Sequence, residues 1–346
     1  MDGLDSRVLN ALDGDVRSVV ELASLAPSVH NTQPWRFTWD GRALSVREDP
    51  SRALPVLDPS GRERLVSCGA AALHARMAFA ELGWAVEAST SPDPDDPLLV
   101  ARLTVIGRRQ PTAEEHALAQ AIPRRATDRD PFDARPLPEE VRAALAAAAA
   151  AEGAWVRFVG TRSDDDDAVE LQVLLSHADD SQRSDPAYLA ELAAWRRDRE
   201  AEGVLSRALP SVPAELRGSS WVLRDFDAGR PAPADQPGLV ADPPVAEHPS
   251  VLVLGTSADA PHDWVVAGQA LGRLLLRATV DGVAAQPLTQ VLEVPALRAR
   301  MRHALGVVGH PQMLLRLGYG HVGPTSRRRP VEQVLAVGPP PETGRT

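Results

Sequence analysis

APSVHNTQPW, residues Ala26 to Trp35, places Ser28, His30, Asn31, Thr32 and Gln33 between two prolines and a tryptophan. The stretch stands out against its background. The chain has only two asparagines, Asn10 and Asn31, and no lysine among its 37 basic residues. What so many hydrogen-bonding side chains do at one bend is the question from which the rest of the sequence is read.

Immediately before the bend, apolar residues recur at helical spacing from Asp15 to Leu25, and Pro27 ends that helix. After it, WRFTWDGRALSV (Trp35 to Val46) alternates as a hairpin turning at Asp40-Gly41. Leu98 to Ile106 is a further strand. Pro- and Asp-rich stretches at Ser91–Pro97, at Gly229–Pro249 and in the GPPPETGRT tail punctuate the chain.

At 346 residues the chain exceeds the roughly 250–300 at which one core stops growing, so two lobes are expected. A net charge of -10 argues against nucleic acid or an anionic membrane surface as partner. The single cysteine, Cys68, excludes an intramolecular disulfide and fits a reducing compartment. The opening residues lack an apolar signal core, and the longest apolar run, Ala143–Ala151, is too short to span a membrane. A cytoplasmic protein is the expectation.

Two segments of equal length share a pattern. Gly69-AAALHARMAFAEL-Gly83 reads as a helix from one glycine to another, and Gly268-QALGRLLLRATVD-Gly282 repeats it 199 residues later. The second glycine of each pair supplies a left-handed helix end. Each half also holds a helix, a bend and a Trp-x-x-Phe or Trp-x-Phe strand: Trp35-Arg36-Phe37 in one, Trp155-Val156-Arg157-Phe158 in the other. Strands ARLTVIG and SVLVLG accompany them, although the first follows its glycine-bounded helix and the second precedes its own. An internal duplication follows as the expectation.

Several motifs carry less. Gly318-Tyr-Gly-His-Val-Gly323 matches GxGxxG, but Pro324 and SRRRP follow where a nucleotide-binding helix would have to start. His303, His310 and His321 have no metal-ligand spacing. Cys68 reads as a small core residue, and Ser163-DDDD as an acidic first helical turn. Two basic clusters, Arg124-Arg125-Ala-Thr127-Asp-Arg129 and Arg327-Arg328-Arg329, each precede apolar anchors. They suit a bound phosphate, which guanidinium groups hold bidentately, or else are solvated arginines of an Arg-rich chain.

Together these residues resemble the nitroreductase superfamily, whose flavin-binding signatures are PSxxNxQPW, R-x-S/T-x-R and a C-terminal R-x-R near the last strand. APSVHNTQPWRF, SCGAAALHARMAFAELGW, IPRRATDR and AQPLTQ look like its Acg branch of actinobacterial FMN-binding proteins. The resemblance covers most of the chain but little of Asp164–Pro249. It implies an α+β nitroreductase-like fold, duplicated within one chain as a pseudo-dimer of two α/β lobes. The halves would be residues 1–110 and 111–346. Apart from the resemblance, the length and prolines of 218–249 read as a lid insertion, with Trp221, Leu223 and Phe226 giving its start an apolar face, or else as a surface excursion packed against its own half. In ordinary nitroreductases two subunits build each FMN site across their interface. Here the first half keeps the polar bend and the second keeps Arg125-x-Thr127-x-Arg129, so one site is complete and its mirror image is not.

The resemblance further implies roles by position. Arg125, Arg327 and Arg329 would hold the FMN phosphate, and Thr127 and Ser28 the phosphate or ribityl chain. Arg129 would approach the N1–C2 edge of the flavin. Asn31 and Gln33 would reach its polar edges or fix the bend, with Pro27 packed beside it. His30, with Val29, stands where the family has small hydroxyl residues, on the same wall. The Gly282-VAAQPL turn, with Gln286, would line the face near N5. The implied activity is hydride transfer from NAD(P)H through FMN to a small electron-poor acceptor, with no protein acid, base or nucleophile nominated and a monomer sufficient for one site. The alternative is a protein that sequesters FMN and turns over little.

Overall fold

A computed structural model describes residues 6–91, 93, 95–160, 166–196, 201–204, 221, 224, 249–320 and 326–338. The described chain runs α1 (Ser6–Ala23), β1 (Trp35–Trp39), β2 (Ala43–Glu48), α2 (Arg62–Glu81), β3 (Trp84–Thr90), β4 (Leu99–Arg108) and α3 (Ala113–Ala121). Next come α4 (Glu139–Ala150), β5 (Trp155–Val159), α5 (Asp166–Arg183) and α6 (Pro186–Ala194). The chain continues with β6 (Ser250–Thr256), α7 (Pro261–Val280), β7 (Ala284–Pro287), α8 (Gln290–Glu293), α9 (Pro295–Ala304) and β8 (His310–Gly318). The short α10 (Val331–Val334) and β9 (Leu335–Val337) close the described chain.

The strands form two sheets, in the orders β3-β4-β2-β1-β9 and β5-β6-β8-β7. Neighbours are antiparallel except for β9, which runs parallel to β1 with Phe37 opposite Leu335. The mixed α+β class is therefore as expected. The last described strand, β9, joins the sheet of β1, and this crossing carries the Arg327–Arg329 run to the polar bend. Trp35, Phe37 and Trp39 turn their rings into the first core, while Arg36 and Thr38 point the other way, as the two-residue period of a strand requires. The hairpin forms where expected, with a wider turn: Asp40 Oδ1 accepts from Arg42 N and Ala43 N, and Gly41 adopts φ +89°.

Helices α2 and α7 cross between the sheets. Both contain 20 residues, and in both the first glycine of the repeated pattern is not the helix start but the eighth residue. Arg62-Glu-Arg and Pro261-His-Asp add polar opening turns that the apolar pattern does not show. Gly83 and Gly282, just past the ends, are left-handed at φ +79° and +68°. The inner glycines let the backbones touch, since a Cβ on Gly268 would lie 2.1 Å from Val66 O. Gly272 and Leu73 continue the contact one turn on.

Other expectations fall on both sides of the described set. Asp166 and Asp167 occupy the first turn of α5. Cys68 is buried, its thiol donating to Pro34 O at 3.1 Å. Of the expected lid only Trp221, Arg224 and Pro249 are described; Leu223, Phe226 and the rest of 218–249 lie outside the described residues, as does His321. No helix among the described residues is long and apolar enough to cross a membrane.

Candidate functional site

The bend is held in a conformation that non-glycine residues seldom adopt. His30, Asn31 and Gln33 have φ of 47°, 53° and 50°. Such positions cost on the order of 1 kcal/mol or more each and persist only where the surroundings over-determine them. Here they do. Ser28 Oγ accepts from Gln33 N at 3.0 Å, and Thr32 Oγ1 donates to Val29 O at 2.9 Å. Val29 N donates to Ser67 Oγ, which itself donates to Glu63 O within α2. Asn31 Nδ2 donates to Gly203 O at 3.1 Å and to Arg327 O at 3.2 Å. Gln33 Nε2 donates to Ala201 O at 2.7 Å, and its Oε1 accepts from Arg329 N at 2.8 Å. The polar residues of the opening stretch thus tie residues 201–203 and 327–329 to the end of α1.

One face of the bend lines a cavity of about 220 Å³, open at its mouth. Its other walls are the first turns of α2 (Glu63, Val66, Ser67), the Arg125–Arg129 stretch, the end of β7 (Gln286, Pro287), Thr289, Ser326, Arg328 and Arg224. Thr127 is placed by a parallel bridge to Ala285 of β7, extended by Asp128 N donating to Ala285 O. Of the residues expected to bind cofactor, Pro27, Ser28, His30, Asn31, Arg125, Thr127, Arg129 and Gln286 all line this cavity.

Gln33, Arg327 and Arg329 do not. Gln33 is fully buried behind the bend, and the Arg329 guanidinium donates to Gln33 O and Gln333 O. Arg327 contributes its carbonyl to Asn31 and Arg328. Arg328, the residue between them, is the one at the cavity. Pro330 keeps Arg329 from helical geometry, and in an extended run consecutive side chains take opposite sides. Arg328 also donates to Ser24 O, Leu25 O and Ala26 O, so it caps the carbonyls that Pro27 leaves open at the end of α1.

The cavity is electrically polarised. At one end stand Arg328 and Arg125; burial, then Arg125, pulls Arg328 down to about 9. Burial and the nearby Arg129 pull Arg125 down to about 10, and burial and Arg224 do the same to Arg129. Arg125 Nε is sealed from solvent, and the guanidinium has no hydrogen-bond or carboxylate partner among the described residues. Buried cations that repel one another are what a site built for an anion presents before the anion is counted. At the other end Arg224 pairs with Glu293 at 2.6 Å and donates to the Tyr188 hydroxyl. Here burial, then Arg224, pulls His30 down to about 3 and keeps its imidazole neutral. Burial pushes Glu63 up to about 7, against the opposing charge of Arg62.

Arg328, Glu63 and Arg224 were not singled out by motif. Arg328 was the middle letter of an R-x-R. Glu63 is a first-turn acid in GRERLVSC, where a helix dipole is explanation enough. Arg224 sits among the apolar Trp221, Leu223 and Phe226, and no motif marks it as a site residue.

No protein-family profile matches the chain. Among curated proteins, "Putative NAD(P)H nitroreductase Rv3131" of Mycobacterium tuberculosis is 37% identical over 335 residues, covering 92% of this chain and 90% of its own. "Putative NAD(P)H nitroreductase acg" of the same organism is 31% identical over 330 residues, covering 93% and 95%. A crystal structure of a nitroreductase with bound FMN from Bacteroides fragilis aligns with a TM-score of 0.36 at 15% identity, over 61% of this chain and 92% of that one. On the length and identity of the first two matches, the chain belongs to the nitroreductase family, in its Acg-like branch.

Proposed function

We propose that the protein is an FMN-dependent NAD(P)H oxidoreductase acting on a small electron-poor acceptor such as a quinone or nitroaromatic. The observation that carries this reading is Arg125: a buried guanidinium at the cavity wall, without a counter-ion among the described residues, between two further cations. A phosphate monoester supplies the missing charge and acceptor oxygens. Arg125 and Arg328 would hold it, with Thr127 and Ser28 toward the phosphate or ribityl chain and Arg129 next along the wall.

The remaining walls suit the rest of the group. Asn31 and Gln286 line the cavity, and their amide oxygens Oδ1 and Oε1 accept no hydrogen bond among the described residues, so each residue keeps an unused acceptor beside a bound ligand. Val66, Leu271, Met313, Pro287 and Pro27 supply apolar surface for an aromatic ring system. FMN, when bound, supplies two-electron transfer between NAD(P)H and the acceptor. The protein holds and orients it and excludes water.

Both halves contribute walls, Ser28 and Asn31 from one and Arg125 and Gln286 from the other, which supports one FMN per chain and a monomer as the minimal binding unit. An absorbance spectrum of protein reconstituted with FMN, followed by NADPH addition, tests the reading. A flavin band that bleaches on NADPH and recovers with a quinone is expected. Protein that takes up FMN but does not bleach would instead be an FMN store, and failure to take up FMN would refute both.

A further inference from the structure

We propose that Glu63 is the proton donor to the acceptor in this cavity. This rests on the flavin reading above. Glu63 lies in the first turn of α2, on a helix locked against α7 by glycine contacts, so its position is set by rigid backbone. Its side chain is 5% exposed. One carboxyl oxygen, Oε1, accepts from the Arg62 guanidinium, which also donates to Gln312 O at 2.6 Å. The other oxygen accepts no hydrogen bond from a described residue and is not among the atoms sealed from solvent, which leaves it facing the cavity that Glu63 lines.

The groups around it divide the work. Arg62 and Arg224 are the cations facing Glu63, and Glu293 and Asp58 the acids. Glu293 is held as a carboxylate by Arg224, Tyr188 is pushed up to about 12 by burial, and His30 is neutral. None of these three can both give up and regain a proton near pH 7. Glu63 can: burial outweighs Arg62 and the helix N-terminus and brings its carboxyl to about 7, where a general acid works best.

The step balances as follows. Reduction of a quinone to a hydroquinone takes two electrons and two protons. A hydride equivalent originating from NAD(P)H accounts for both electrons and one proton. The second proton comes from Glu63: its O–H bond breaks, an O–H bond forms at the quinone oxygen, and the carboxylate left behind is neutralised by Arg62 and Arg224 until water returns the proton.

Two measurements on the full chain test this, using Glu63→Gln and Glu63→Asp. In the first, infrared difference titration of cofactor-free protein should show a protonated carboxyl band lost with a midpoint near pH 7, absent from Glu63→Gln. In the second, FMN-loaded protein reduced with dithionite is mixed with benzoquinone from pH 5.5 to 8.5. Wild-type reoxidation should slow about tenfold per pH unit above the midpoint; Glu63→Gln should be slow and flat, and Glu63→Asp should restore a sloping profile. A Glu63→Gln profile that matches wild type, or wild-type protein with no such band, would overturn the proposal. Should Glu63→Gln not fold, the wild-type band and the Glu63→Asp profile decide the matter. Absence of FMN uptake would refute the flavin reading instead, while the infrared titration would still report on Glu63.

Discussion

Gly69 and Gly268 meet backbone to backbone: a Cβ on Gly69 would lie 3.0 Å from the Gly268 Cα and 2.3 Å from Val265 O. The contact joins α2 to α7, one turn or two beyond the cavity-lining Glu63, Val66 and Ser67.

Gly268→Ala should therefore destabilise the protein. Alanine gains about 1 kcal/mol of helix propensity, but overpacking against an immovable carbonyl costs roughly 1–3 kcal/mol and forces the helices apart. Gly272→Ala is the control, because its Cβ would meet Leu73 Cδ2, a side-chain atom able to yield, at 3.0 Å. Chemical denaturation should show Gly268→Ala less stable than Gly272→Ala by about 1–2 kcal/mol. Equal midpoints would mean that the crossing is looser than described.

Arg125→Ala should weaken FMN binding by about 1.5–3 kcal/mol, roughly ten- to hundredfold, and leave riboflavin binding nearly unchanged. Arg328→Ala should weaken FMN binding and also lower the melting temperature, because it strips the carbonyl cap of α1. Arg329→Ala should weaken FMN binding less than either. Fluorescence titration with both ligands, beside thermal melts, separates the three. Riboflavin lost as severely as FMN from Arg125→Ala would make that arginine structural.

Glu63 should leave a mark on stability. Its carboxyl is raised in the folded protein, from an ordinary 4.5 to about 7, so the fold favours the neutral acid. Below about 4.5 the group is protonated folded or unfolded and has no pH-dependent effect. As pH rises toward 7 the unfolded chain ionises first, and stability falls by about 1.4 kcal/mol per pH unit at the steepest. Glu63→Gln should thus gain on wild type between pH 5 and 7, then level off. Urea midpoints at several pH values read this directly, and a constant difference would show an unshifted carboxyl.

Asn31 combines a left-handed backbone with two side-chain bonds to other segments. Asn31→Ala loses both bonds and fits the backbone worse, for a cost of about 2–3 kcal/mol. Asn31→Gly loses the bonds but relaxes φ, and should cost about 1 kcal/mol less. If the two variants denature alike, the conformation of the bend is not what Asn31 supports.

The local elements were legible because their causes are local. Trp35, Phe37 and Trp39 alternate into one core, Pro27 stops α1, and Gly83 and Gly282 end two helices of equal length, all within a few residues of sequence. Arg125, Thr127 and Arg129 could be singled out because they follow one another in the chain. Tertiary structure decided what sequence spacing does not encode. It turned Arg328 to the cavity and Arg329 toward Gln33, and it placed β9 beside β1. It assigned Asn31 and Gln33 to fastening distant chain segments, and brought Arg224 to Glu293, 69 positions away. Each of these outcomes is set by which side chain finds a partner of opposite charge or an open carbonyl across a packed interface. That depends on where the helices cross, and the glycines that fix the crossing reveal it only once both backbones are in contact.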